Sequence, residues 1–376
     1  MTRTGSTDRA HAAALLGLPG MTPVRLARVL DGFGPVLAWS AVRAGTHPAD
    51  PERRFAAAAR TTDPHEVAAR YAAADVAVLV PGGAGYPAAL EGDPGAPAVL
   101  TCLGDPSVLE ARPVVAVVGT RSATPYGATV ASGLGRALAR AGVVVVSGLA
   151  RGIDAAAHAG ALAAGPAAAP PVAVVGTGAD VPYPSANRDL WARVAAAGAL
   201  LSEAALGTPA RPRVFPARNR IIAALSDVVV VVESHRSGGS LYTAEAAARR
   251  GIPVCAVPGS VLSRASTGTN ELLVDGCTPV RDADDVLAAV DLARQGKGMA
   301  GPLRVATARV TAGTGGGAPP GDRVQRSVWE AVDDTPTTVE TVLLRTDLSL
   351  AALTAAGQEL VEAGMLVAGA GWWSRT

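Results

Sequence analysis

The sequence predicts an α/β protein built on a doubly wound, mostly parallel sheet, with a small helical domain before it and a second small domain after it. Three observations carry this. Six short apolar runs between Val114 and Val257 are each followed by a glycine-containing turn and an Ala-rich helical stretch. Residues 8 to about 72 carry helical periodicity, with few strand signals. A Gly-, Pro- and Ala-rich stretch without periodicity, residues 293–321, separates the repeats from a C-terminal segment with its own apolar pattern. At 376 residues, 49% hydrophobic and 17% charged, the chain has ample material for buried cores, which excludes disorder of the whole chain.

The N-terminal segment places Leu15, Leu18, Leu26, Val29 and Leu30 at helical spacing around the turn LPGMTP. LPGMTPVRLARVLDGFG resembles a helix-hairpin-helix unit, in which hairpin amides hold a phosphate. Thr22 stands where that pattern prefers a second glycine, so a purely structural hairpin is the alternative. This region, 1–74, reads as a helical domain of the helix-hairpin-helix or SAM type. From Val76 to Gly104, apolar runs alternate with turn residues and read as strands leading into the main domain.

The strands expected in the central region, 75–292, are Val114–Val118, Val143–Ser147, Val172–Gly176, Ala199–Ser202, Val228–Val232 and Val254–Val257. Near-continuous apolar runs belong to parallel strands covered on both faces, joined by right-handed helical crossovers. Such sheets bind ligands beyond the carboxyl ends of their strands, so function is expected in the loops that follow each run. After the 293–321 linker, residues 322–376 read as three helices and a closing hairpin, the order of a winged-helix domain.

Composition removes several classes of function. The 33 basic residues include one lysine, Lys297, so neither a P-loop nor Schiff-base chemistry is expected. The five histidines fall in no paired-ligand spacing, and no metal site or cofactor is expected. Cys102, Cys255 and Cys277 are far apart and read as buried small hydrophobes. The longest stretch free of charged residues, 155–179, is broken by glycines and prolines, so no membrane span is expected. The N-terminus makes a poor signal peptide, which points to the cytoplasm.

The strand ends carry the candidate chemistry. Gly119-Thr120-Arg121-Ser122 forms a turn able to gather amides and a guanidinium around an anion. It lacks the GxGxxG spacing of a dinucleotide site, and GLGRAL at Gly133 falls inside the following helix, which disfavours a dehydrogenase. Ser147, Gly148, Arg151 and Gly152 make a second such turn. Asp154 and His158, one helical turn apart, have the spacing of an acid–base pair. With no nucleophile or metal partner in view, they read better as a carboxylate on first-turn amides and a packed imidazole. The densest basic stretch holds Arg211, Arg213, Arg218 and Arg220 with Phe215 among them, the mix expected where bases stack and phosphates pair. A core phenylalanine in a solvated loop is the competing reading. Ser237, Gly238, Gly239 and Ser240 form a third glycine turn before a helix. Convergence of these turns with Arg121, Arg151 and Arg218 on one sheet edge argues for an extended polyanion.

These motifs, VVGTRSATPYG, VVVVSGLARGIDAAAHAGAL, VAVVGTGADVPYPSANRDLW, LLSEAALG, FPARNRIIAALSDVVVVVES, SGGSLYTAEAA and VCAVPGS, occur in an order that resembles the DNA-processing protein A family, also called DprA or Smf. The resemblance covers nearly the whole chain, most specifically residues 75 to 290. It implies an extended Rossmann-like domain and a non-catalytic homodimer. That dimer binds and protects single-stranded DNA and helps load the RecA recombinase onto it in natural transformation and homologous recombination. Position by position, it implies DNA contacts from Gly119, Arg121 and Ser122, from Ser147, Gly148, Arg151 and Gly152, and from Phe215, Arg218, Asn219 and Arg220; the third turn adds Gly239 and Ser240. A different class, a nucleotide-binding protein or nucleoside-monophosphate phosphoribohydrolase on a related fold, is the alternative. PGGAGYPAALE at Pro81 mimics the start of that enzyme's PGGxGTxxE segment. Tyr86 replaces its threonine, and the segment precedes the repeats instead of falling late among them.

Overall fold

The computed structural model describes residues 5–110, 113–211, 214–295, 320–332, 337–346, 348–369 and 372–375. It divides into two compact units, Met1–Pro258 with Gly268–Leu303, and Gly259–Thr267 with Arg304–Thr376. Most of the expected linker, including Lys297, lies outside the described residues, as does Arg213.

The first unit begins with helices α1 (Ser6–Leu16), α2 (Pro23–Leu30), α3 (Pro35–Ala44), α4 (Ala56–Thr61) and α5 (Pro64–Ala73). Proline at the first position of α2, α3 and α5 starts each where no amide partner is needed, and the Thr22 and Asp63 side chains cap α2 and α5. The hairpin before α2 is closed internally. Thr22 Oγ1 accepts from the Arg25 amide at 3.3 Å, and Arg25 Nη1 donates to the Gly20 carbonyl at 2.7 Å. The buried side chains of these helices share one core with Val76, Val78, Val80 and Val99.

The sheet then runs β1 (Val76–Leu79), β2 (Leu100–Gly104), β3 (Val114–Val118), α6 (Pro125–Arg140), β4 (Val144–Ser147), α7 (Ile153–Leu162), β5 (Val172–Val175), α8 (Arg188–Ala197) and β6 (Ala199–Ser202). It continues with α9 (Val214–Leu225), β7 (Val228–Val231), α10 (Leu241–Ala248), β8 (Val254–Ala256), α11 (Thr267–Val274), β9 (Thr278–Pro279) and α12 (Ala283–Arg294). Nine strands lie in the order β1-β2-β6-β5-β4-β3-β7-β8-β9. All pairings from β6 to β9 are parallel, and β1 and β2 add an antiparallel edge against β6. Each predicted central strand is present within one residue of its expected ends.

Valine alternation fills both faces. Val114, Ala116, Val118, Val229 and Val231 pack with Ile221, Ile222, Leu225 and Ala247 of α9 and α10. Val115, Val117, Val228 and Val230 pack with Leu134, Leu138, Ile153, Ala157 and Val290 of α6, α7 and α12. That two-sided burial is what a continuous apolar run requires. The three cysteines are buried and unpaired. Among the described residues, no helix is long and apolar enough to cross a membrane.

Helices α6 and α7 touch through glycines. A Cβ on Gly135 would lie 2.2 Å from the Ala157 carbonyl oxygen, and one on Gly160 would lie 2.1 Å from that of Ser132, whereas Gly133 faces open space. Backbone cannot yield to a methyl group as a flexible side chain does. Gly135→Ala and Gly160→Ala should therefore each cost about 1–3 kcal/mol. Gly133→Ala, in the same helix, should stabilise by roughly 0.5–1 kcal/mol through helix propensity. Thermal melts of the three variants check the contrast; equal losses would remove the close-packing argument.

The second unit carries α13 (Arg323–Ala331), β10 (Thr337–Thr338), α14 (Val339–Arg345), α15 (Leu350–Glu362), β11 (Leu366–Gly369) and β12 (Trp372–Arg375), with strands ordered β10-β12-β11. Val328, Val342, Leu353, Leu360 and Trp373 form its core. Trp373 is fitted against Gly357, where a Cβ would meet the indole at 2.4 Å.

Candidate nucleic-acid interface

The strand order reverses between β3 and β7: β4, β5 and β6 follow on one side of β3, and β8 and β9 follow on the other side of β7. The crevice beyond the carboxyl ends of these strands is the topological switch point, where doubly wound sheets take their ligands. The GTRS turn after β3 sits at this point. It is fixed on two sides, because Thr120 N donates to the Glu233 carbonyl at 2.8 Å and the Thr120 carbonyl accepts from Ile153 N at 3.2 Å. Gly119 is tight against both neighbours, since a Cβ there would lie 2.6 Å from the Ile153 side chain and 2.7 Å from the Glu233 carbonyl oxygen.

The second turn, SGLARG, contains two left-handed residues, Leu149 at φ 52° and Gly152 at φ 78°. Only glycine fits the latter position, because a Cβ would also strike the Thr120 carbonyl oxygen at 2.4 Å. Leu149 tolerates its strained backbone because its side chain is fully buried and its carbonyl accepts from Asn187 Nδ2 at 2.9 Å. This contorted path leaves Arg151 exposed beside the start of α7.

Beneath the turn lies a buried charge cluster. Arg218 is 7% exposed; its Nη1 donates to the Gly148 carbonyl at 2.9 Å and also to the Val174 carbonyl. Asp154, also buried, accepts from Gly148 N at 3.1 Å. Burial pushes the Asp154 carboxyl up, against the pull of Arg218 and of the Ala150, Gly148 and Gly119 amides. Burial likewise pulls Arg218 down to about 10, while Asp154 favours its charge. The amides expected to receive a phosphate thus already serve an internal carboxylate. His158 is fully buried: Nε2 donates to the Val172 carbonyl at 3.1 Å, Nδ1 has no partner, and desolvation pulls its pKa down to about 4.

The expected contact residues differ in how far they reach solvent. Ser147, Gly148, Arg218 and Ser240 are buried and do not face solvent. Ser147 Oγ donates to the Val117 carbonyl at 2.6 Å, and Ser240 Oγ to Ser234 Oγ at 2.9 Å, so both hydroxyls close turns from within. Asn219 is a brace, accepting from Arg218 Nε at 3.2 Å and donating through Nδ2 to the Gly239 carbonyl at 3.0 Å. Arg220 pairs with Glu203 at 2.7 Å, a carboxyl that burial pushes up.

The side chains left at the surface are Arg121, Ser122 and Arg151, with the exposed backbone of Gly239 and the half-buried ring of Phe215. Among the described residues, no carboxylate pairs with Arg121 or Arg151. Arg121 Cζ lies 4.9 Å from the Phe215 ring centre, and Tyr183 stacks on the same ring at 5.4 Å with 28° between planes. Sequence reasoning missed Tyr183. The only signal was its place in the loop after β5, at the same sheet edge. The PGGAGYPAALE segment is a closed turn, in which the Tyr86 hydroxyl donates to the Pro97 carbonyl at 2.7 Å and Glu91 accepts from Gly82 N at 2.8 Å. It follows β1, and its Tyr86 and Leu90 pack into the core shared with β3, β7 and α9.

Comparison with known proteins agrees with this architecture. A putative DNA processing protein DprA of Mycobacterium tuberculosis is 45% identical over 196 residues, covering 52% of this chain and 49% of that protein. DprA of Streptococcus pneumoniae is 43% identical over 197 residues, 51% of this chain and 67% of that protein. The chain thus spans about half the length of the mycobacterial relative it matches. The X-ray structure of the pneumococcal protein superimposes with a TM-score of 0.64 at 31% identity, over 76% of this chain and 98% of that one. DNA processing protein A from Helicobacter pylori, whose structure is described for its single-stranded DNA binding mode, gives 0.51 at 30% identity, over 59% and 96%. The family model for DNA recombination-mediator protein A matches residues 77–291, which hold the whole switch-point crevice and every turn that shapes it. On that match and on the shared Rossmann-like sheet, the chain belongs to the DNA recombination-mediator protein A family.

Proposed function

We propose that this chain binds single-stranded DNA along the carboxyl edge of its sheet and, as a cytoplasmic homodimer without catalytic turnover, helps load RecA onto the strand. The reading takes residues 1–74 as a helical accessory domain, 75–292 as the Rossmann-like DNA-binding domain, 293–321 as a linker and 322–376 as a winged-helix-like domain. The observation that carries it is the Arg121–Phe215–Tyr183 stack, with exposed Arg151 on the adjoining turn: guanidinium groups without carboxylate partners among the described residues, and aromatic rings, at the switch point. Arginines neutralise phosphates, and rings accept base faces of any sequence. Asp154 and His158 are buried and bonded to backbone, at the Gly148 amide and the Val172 carbonyl, as packing groups would be. On this reading Arg121, Ser122, Arg151, Gly239 and Phe215 contact the strand. Gly119, Ser147, Gly148, Gly152, Arg218, Asn219, Arg220 and Ser240 hold them in place.

The test is fluorescence anisotropy of a labelled strand of ~30 nucleotides and of its duplex, with wild type and Arg151→Ala at two salt concentrations. Wild type should bind the single strand more tightly, and affinity should fall with salt. Arg151→Ala, exposed and free of packing duties, should fold normally, bind at least about tenfold more weakly and lower the log–log salt slope by about 0.7. Negligible binding of the strand by wild type would overturn the reading and favour a free nucleotide as ligand. For the loading step, substoichiometric wild-type chain should shorten the lag of RecA assembly on the strand; an unchanged lag would remove that step.

A further inference from the structure

The chain has five tyrosines, and their environments differ sharply. Tyr71 and Tyr86 are buried, and the Tyr126 hydroxyl is committed to the Pro258 carbonyl at 2.8 Å. Tyr242 is exposed on α10. Tyr183 alone combines exposure, at 43%, with a ring already stacked on another aromatic ring. An aromatic ring in water normally folds onto apolar surface. This one is stacked on Phe215, itself under the Arg121 guanidinium, and stays exposed at the edge of a cationic crevice.

The loop carrying Tyr183 is held at both sides. Thr177 Oγ1 donates to the Val181 carbonyl at 2.7 Å, and Asn187 Nδ2 donates to the Leu149 carbonyl at 2.9 Å, tying the segment to the second turn. The ring is therefore pre-positioned in a loop tied to the turn that carries Arg151, and little ordering is needed when a ligand arrives. Its face matches an unpaired nucleobase. A duplex hides its base faces inside the stack and offers phosphates only, so such a ring discriminates strand from duplex where an arginine does not.

We infer that Tyr183 is a base-stacking residue that selects single-stranded over double-stranded nucleic acid at this crevice. The inference rests on the strand-binding reading given above. It adds a division of labour: Arg151 supplies affinity for phosphate in either form, and Tyr183 supplies preference for exposed bases.

Tyr183→Ala, Tyr183→Leu and Tyr183→Phe are compared with wild type and Arg151→Ala on three labelled probes: a mixed-sequence single strand, its duplex, and a single strand of the same length made of abasic sites. Tyr183→Ala and Tyr183→Leu should each weaken the single strand about tenfold. Duplex and abasic affinities should change less than twofold, and the salt slope should stay at its wild-type value. Tyr183→Phe should bind as wild type does. Arg151→Ala should weaken all three probes. The leucine variant keeps apolar volume without a planar ring, so it covers a failure of the alanine variant to fold. If wild type binds the strand but Tyr183→Ala and Tyr183→Leu bind it equally well, or lose strand, duplex and abasic affinity in proportion, the stacking role is overturned while strand binding stands. If wild type itself binds no strand, the underlying reading falls first.

Discussion

Replacing Arg218 with methionine should destabilise the first unit by about 3–5 kcal/mol, because it strands a buried carboxylate. The guanidinium offsets the Asp154 charge and serves the carbonyls of Gly148 and Val174, and none of these groups reaches water in its absence. Methionine keeps the length and apolar bulk of the side chain, so the loss is electrostatic and hydrogen-bonding in origin, not a cavity. For a unit of this size the melting temperature should fall by roughly 10 °C, at about 2–4 °C per kcal/mol. Arg218→Met with Asp154→Asn should recover part of the loss, since the charge left unpaired is then gone. Strand binding by Arg218→Met below its melting point should fall as well, because the turn that projects Arg151 rests on Arg218. A variant with unchanged melting temperature and lost binding would instead make Arg218 a direct DNA ligand.

That distinction marks where the sequence stops being legible. The apolar runs place six strands to within a residue, because a strand buried on both faces has few polar positions to blur its ends. The turns after β3, β4 and β7 were readable as a converging edge once the parallel order was assumed. Within FPARNR, by contrast, Arg218 and Arg220 look alike, yet one lies under the SGLARG turn and the other pairs with Glu203, 17 residues upstream. Helical spacing alone cannot say which basic residue turns inward, because the deciding partner, Asp154, is 64 residues away in sequence. Ser147 is a similar case: a hydroxyl at a strand end resembles a phosphate ligand, and its bond to the neighbouring strand at Val117 is not visible in the sequence. Tyr183 is illegible for the opposite reason, since its stacking partner Phe215 is brought to it by the fold across 31 intervening positions.

Lowering the pH from 6.5 to 4 should cost this protein about 3 kcal/mol through one residue, His158. The unfolded chain takes up a proton there near pH 6.5, whereas the folded chain does so only near pH 4. Between those values the unfolded state holds the extra proton. Stability is therefore complete above pH 6.5, declines by up to about 1.4 kcal/mol per pH unit, and stops declining from this source below the folded-state value. The cause is geometric. The Nε2 hydrogen is committed to the Val172 carbonyl, and Nδ1 is buried with no acceptor near enough to share a second hydrogen. An added charge would also sit in the field of Arg218, which further disfavours it. His158→Gln retains a donor for the Val172 carbonyl but cannot titrate. Denaturant midpoints for the two proteins from pH 8 to pH 4 should differ by a nearly constant amount down to about pH 6.5. Below that the curves should converge or cross, as wild type alone loses stability. Carboxylates titrating at the acid end act on both proteins alike and cancel in the difference. Parallel curves throughout would show that His158 takes its proton as readily in the fold as outside it, and the buried, neutral imidazole against the start of β5 would have to be abandoned.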